Sequence, residues 1–142
     1  MRRIDTLTGD LFTIPRPVAP NAGALACRVE IAHVMSEALK GHDRYEVSAT
    51  ISKLLGHEFS KNILDAYTAE SREGHIPPLD IAIAFDMAVG GHALLDFAAS
   101  KLGAQVVVGK EVLHTQLGKL ERTRDEAAKQ IKQLKSILGE AE

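Results

Sequence analysis

Positive charge, aromatic rings and cysteine are all scarce in this chain. Of its 142 residues, 17 are Lys or Arg and 19 are Asp or Glu, a net charge of -2, so no overall positive field draws the protein onto nucleic acid. Aromatic residues make up 4% and Trp is absent. Ala, Leu, Ile and Val dominate instead, which favours helix over sheet, and an all-α fold is expected. The one cysteine, Cys27, excludes an intramolecular disulfide and fits a reducing compartment. Within an expected helix it reads as a small buried hydrophobe rather than a nucleophile. No apolar run follows Arg2 and Arg3, so no secretory signal is expected. The most apolar stretch, Ile76 to Leu102, is interrupted by Asp80, Asp86, Gly90, Gly91 and Asp96, which argues against a membrane span. A soluble, cytoplasmic protein is expected.

Enzyme signatures are missing too. His33, His42, His57, His75, His92 and His114 are scattered, with no HExxH, nucleophile elbow, zinc-spaced cysteines or phosphate loop. No catalytic residue, metal site or cofactor is expected. Gly90-Gly91 joins two helices and lacks a following Lys-Ser or Lys-Thr, so it is a bend rather than a phosphate cradle.

What the chain does have is an ordered series of helical patterns. Residues 1 to 20 carry Arg2, Arg3 and Arg16 among Pro15, Pro17 and Pro20 and read as a flexible extended arm. Its arginines are candidates for the minor groove; Leu11, Phe12 and Ile14 could equally strap a neighbouring subunit. From 21 to 105 a compact helical domain is expected. Asn21 would cap a helix from about Ala22 to Leu39, with Leu25, Val29, Ala32, Met35 and Leu39 at helical spacing and Gly41 ending it. Pro77-Pro78 opens a helix Leu79 to Val89, and a further helix, Ala93 to Leu102, ends at Gly103. Their inward faces are expected to be Ile81, Ala84, Phe85 and Ala88, and Leu94, Leu95, Phe97, Ala98 and Leu102. The run Val106-Val107-Val108 is the one β-prone segment.

Between these lies the stretch that points to function, about 43 to 72. Asp43 starts a helix Arg44 to Leu55, with Tyr45 or Val47, Ile51, Leu54 and Leu55 inward and Lys53 outward. Gly56 allows a sharp turn, and Ser60 caps a second helix carrying Ile63, Leu64 and Tyr67 inward. Phe59 precedes the cap and would pack on Ile63 or Leu64. Ser52, four residues before Gly56, is small enough to admit the second helix closely. The whole reads as a helix-turn-helix with a turn about one residue longer than the tightest such motifs. On the second helix Lys61, Asn62, Asp65, Thr68 and Arg72 face out, and together with Lys53 and Ser60 they are the candidate DNA contacts. Lys61 and Arg72 suit phosphate or guanine, Asn62 adenine, Asp65 the cytosine amino group and Thr68 a thymine methyl or phosphate. The plain alternative is a solvated face on which Lys61 pairs with Asp65.

The run LDAYTAESRE, Leu64 to Glu73, preceded by Ser60-Lys61 and followed by His75-Ile76-Pro77, resembles a segment of small proteins from Mu-like transposable phages and related prophages, over roughly residues 43 to 100. Those proteins are generally taken to be helix-turn-helix DNA-binding regulators. The resemblance implies that Ser60, Lys61, Asp65, Tyr67, Thr68, Ser71 and Arg72 belong to a recognition helix and its exit.

Charge limits that reading. From Asp43 to His75 four bases, Arg44, Lys53, Lys61 and Arg72, face six acids, Asp43, Glu46, Glu58, Asp65, Glu70 and Glu73. One copy would neutralise few phosphates, and useful affinity would need several copies acting together. The segment 106 to 142 offers a means. Leu113, Leu117, Leu120, Arg124, Ala127, Ile131, Leu134 and Leu138 alternate spacings of four and three, an a/d seam suited to a coiled coil. The sequence therefore describes a DNA-binding phage-type regulator acting on duplex DNA as a homo-oligomer. The alternative is a self-associating structural or adaptor protein that binds another protein.

Overall fold

The structure, a computed structural model, describes residues 14–72 and 74–140. Among the described residues the chain forms six helices and no strand: α1 (Arg28–Ala38), α2 (Arg44–Leu55), α3 (Lys61–Thr68), α4 (Leu79–Val89), α5 (Ala93–Lys101) and α6 (Lys110–Glu140). The expected all-α class is the observed one. Two compact units meet between Val106 and Val107, the first holding α1 to α5 and the second α6.

In the first unit each helix packs on two others: α1 on α3 and α5, α2 on α3 and α4, and α4 on α5. The ring closes on a core to which every helix contributes a large buried side chain: Met35, Ile51, Leu64, Phe85 and Leu94. Leu39, Val47, Phe59 and Ala84 complete it. Sequence chemistry explains the boundaries. Asp43 accepts the Tyr45 N–H at 2.8 Å to start α2, and Gly56, at φ 75°, ends it in the left-handed conformation that glycine adopts without strain. Pro78, in its extended conformation, opens α4.

Several expectations need correcting. The first helix begins at Arg28, six positions after Ala22, because Asn21 to Leu25 form turns around Gly23 (φ 78°). Leu25 lies in those turns, and Val29, although on α1, is exposed, so neither joins the core. On α2 the inward stripe is Val47, Ser48 and Ile51, while Tyr45 and Leu54 are exposed. On α3 Leu64 is buried and Ile63 exposed. On α5 only Leu94 is fully buried, with Leu95, Ala98 and Leu102 exposed.

The Val106 to Val108 run forms no strand; an isolated bridge joins Pro17 and Leu102 instead. Val18 donates its N–H to the Lys101 carbonyl at 2.9 Å, so this part of the arm lies on the end of α5. Gly103, at φ 70°, makes that passage possible: a Cβ there would stand 2.6 Å from the Arg16 carbonyl carbon. Lys101 also reaches Glu30 of α1 at 3.2 Å.

Candidate functional site

The turn between α2 and α3 is held by a hydroxyl. Ser52 Oγ accepts the Phe59 N–H at 2.9 Å and lies within donating distance of the Phe59 and Ser48 carbonyls, at 3.0 and 2.9 Å. Phe59 is thereby fixed in the core and stacks on Tyr67, ring centroids 6.2 Å apart. The Ser60 hydroxyl accepts the Ile63 N–H at 3.3 Å and caps α3.

The outer face of α3 is tied to α2. One Arg44 guanidinium nitrogen donates to Asp65 Oδ1 at 2.7 Å and to Thr68 Oγ1 at 2.9 Å, and Lys61 Nζ donates to Asp65 Oδ2 at 2.8 Å. The Lys61 ammonium also sits 5.4 Å from the Tyr45 ring centroid, within cation–π range. The hydrogen bond from Lys61 holds the Asp65 carboxyl below the usual carboxylate range, working against partial burial and seconded by Arg44. In return Asp65 raises the Lys61 ammonium above its ordinary value.

The exit of α3 is gripped from α1. Arg28 donates to the carbonyls of Glu70 and Arg72, the latter at 2.9 Å, and reaches that of Ala69 at 3.5 Å. Ser36 Oγ donates to the Thr68 carbonyl at 3.3 Å.

This geometry sorts the expected DNA contacts. Lys53 on α2 and Asn62 on α3 are exposed. Lys61, Asp65 and Thr68 are half-buried in the Arg44 network, so they do not form the open stripe expected of them. Arg72 is not on α3. The helix ends at Thr68, Ala69 is extended (ψ 116°), and Arg28 draws the following carbonyls toward α1, leaving Arg72 exposed in the loop. Arg16 is exposed beside Pro17, which bridges α5's end rather than α3. Arg2 and Arg3 lie outside the described residues, as do Leu11 and Phe12.

In the second unit, the six apolar residues expected to mediate oligomerisation, Leu113, Leu117, Leu120, Ile131, Leu134 and Leu138, are each between 52% and 68% exposed. Arg124 and Ala127 at the seam's centre are exposed as well. Arg124 touches Asp125 at 3.5 Å, and the Thr115 and Thr123 hydroxyls turn back to carbonyls of their own helix.

Three residues that matter were not singled out by sequence pattern. Arg44 and Arg28 act across 21 to 44 positions, a distance at which no periodicity reports. Asp86 is 7% exposed in α4 and accepts the N–H groups of Leu94 and Leu95, both at 3.1 Å. It thus caps α5 from a neighbouring helix, where His92 at the N-cap position makes no side-chain cap bond. Above it an apolar groove of about 270 Å³ opens between α4 and α5, edged by the exposed Leu79, Ile83, Met87 and Leu95.

Among the described residues no group of three His, Cys, Asp or Glu side chains is placed to hold a metal ion, and no helix is long and apolar enough to cross a membrane. No protein-family model matches the chain, and no curated protein or solved structure does so.

Proposed function

We propose that this protein binds duplex DNA through the α2–turn–α3 unit and does so as an oligomer joined by α6, a regulator of the phage or prophage type acting in the bacterial cytoplasm. The observation that carries the reading is α6: six leucine and isoleucine side chains stand open along one seam of a 31-residue helix. Burying each fully is worth roughly 1.5–3 kcal/mol, a strong incentive to pair. The DNA half of the reading is supported by the resemblance around LDAYTAESRE and by the order of helix, glycine turn and capped short helix.

The Arg44 network narrows the chemistry. With Asp65 and Thr68 held by Arg44, the exposed groups are Lys53 and Arg72 for phosphate and Asn62 for a base edge. So few contacts give one copy little affinity, and linkage between copies supplies the remainder.

Retention of the full chain on duplex DNA at rising salt tests this. Lys53→Glu and Arg72→Glu each remove a surface cation and should weaken retention, with the salt slope shallower by about 1 per lost phosphate contact. Leu117→Asp with Ile131→Asp should weaken it further by separating copies. Retention unchanged in both charge variants would remove DNA from the account. The exposed stripe Leu79, Ile83, Met87 and Leu95 favours a second reading, an adaptor that takes a protein in the α4–α5 groove. It predicts no DNA retention and an assembly that still depends on Leu117 and Ile131.

A further inference from the structure

The order of side chains along the α6 seam says which way its partner runs. From Leu113 to Leu138 the positions read three Leu, Arg124, Ala127, then Ile131, Leu134 and Leu138. The sequence matches itself when reversed about the midpoint between Asp125 and Glu126. Leu113 then meets Leu138, Leu117 meets Leu134, Leu120 meets Ile131, and Arg124 meets Ala127. Every apolar side chain finds an apolar one, and the one bulky cation finds the one methyl.

In a parallel, in-register pair the apolar layers also match, but the centre does not. Arg124 faces Arg124, a like-charge contact in the seam, and one layer further on Ala127 faces Ala127 and leaves a gap. Reversal removes both faults together, because the arginine stem fills the space above the partner's alanine while its charged end leaves the seam for water. A seam complementary to itself under a two-fold axis is what an isologous contact requires. On one flank Gln116, Thr123, Gln130 and Ile137 are uncharged, and on the other Glu121 and Lys135 face glutamines in the parallel pair and Ala128 and His114 in the antiparallel one, so no opposite-charge pairing overrules the centre.

Resting on the reading of α6 as the joining element, we infer that α6 pairs with the α6 of a second copy of this chain in antiparallel orientation, Arg124 of each lying over Ala127 of the other. The two copies of Lys110, where α6 begins, are then about 45 Å apart at a rise of about 1.5 Å per residue. The two chains therefore enter the pair at opposite ends.

Spin-label distances in the full chain test the orientation. Cys27→Ala supplies the background, and Gln116→Cys or Lys135→Cys supplies one label per chain, at sites equidistant from the seam's midpoint. In the antiparallel pair same-site labels are about 28 Å apart along the axis, whereas a 1:1 mixture of the two variants adds a population with labels at one level. That is the expected result. Same-site labels at one level, with the long separation only in the mixture, would overturn the orientation while leaving α6 as the joining element. The absence of any dipolar coupling in all samples, with light scattering giving a monomer, would overturn the pairing itself.

Discussion

Replacing Asp86 tests whether the bundle is built as described. In Asp86→Ala the N–H groups of Leu94 and Leu95 both lose a carboxylate acceptor at 3.1 Å, and the Leu94 bond is buried. Losing a helix cap costs about 1 kcal/mol, and leaving a buried donor without its partner adds about 1–2 kcal/mol. These costs add to about 2–3 kcal/mol; the carboxylate no longer has to be desolvated, which offsets part of them, so the net loss should be about 1–2 kcal/mol. For a bundle of this size that lowers Tm by roughly 5–15 °C. Asp86→Asn keeps the shape and one acceptor and should lose about half as much. With no Trp in the chain and both tyrosines, Tyr45 and Tyr67, in the first unit, tyrosine emission follows the bundle without interference from α6. The assay is urea unfolding at fixed protein concentration, because self-association also contributes to apparent stability. Asp96→Ala is the control: its partner is His92 at 2.8 Å on an exposed face, and it should cost under about 0.5 kcal/mol. If Asp86→Ala costs no more than the control, α5 is not capped from α4 and the reasoning fails.

Asp65→Asn should remove an acid dependence. Because the folded pKa of Asp65 is lowered, its contribution is present above the unfolded value near about 3.9 and disappears as pH falls through the folded one. The stability gap to the unaltered chain in pH-dependent urea melts should therefore narrow below about pH 4, and a gap constant with pH would refute it. Gly103→Ala should cost about 1–2 kcal/mol through the positive φ alone and speed hydrogen exchange at the Val18 N–H, which otherwise bonds Lys101. Ser48 Oγ is buried without a hydrogen-bond partner, so Ser48→Ala should raise stability by up to about 1 kcal/mol in the same melts; a loss of that size would show the hydroxyl to be satisfied.

The sequence was most legible where one residue acts on its neighbours. Asp43, Gly56, Ser60 and Pro78 set the ends of α2, α3 and α4 through bonds or fixed dihedrals within three residues, and the helices begin where those residues say. Periodicity was less reliable because it counts apolar side chains without knowing what covers them. Leu25 and Val29 extended a pattern whose first part is a turn, and Leu95 and Leu102 suited a core that had already closed over Leu94. The polar face of α3 was the hardest to read. Lys61 and Asp65 at i and i+4 announce their own pairing, but Arg44, which also takes Asp65 and Thr68, lies 21 positions away from the first of these. Outward-facing and available are different properties, and only the neighbouring helix separates them.

The attachments of α3 also bear on how it comes to exist. At eight residues it is far shorter than the roughly 12–15 residues at which an isolated helix becomes even marginal in water. Its cap is local, but Arg44 reaches it from the preceding helix and Arg28 from 41 to 44 positions upstream. The element expected to read DNA therefore cannot be a portable module. A peptide of residues 43 to 72 would lack Arg28 and the α1 surface and would stay unstructured, and grafting it onto another scaffold would transfer the letters without the shape. In folding, α3 gains its order only with α1 and α2 docked against it, so this surface opens and closes with the bundle as one unit.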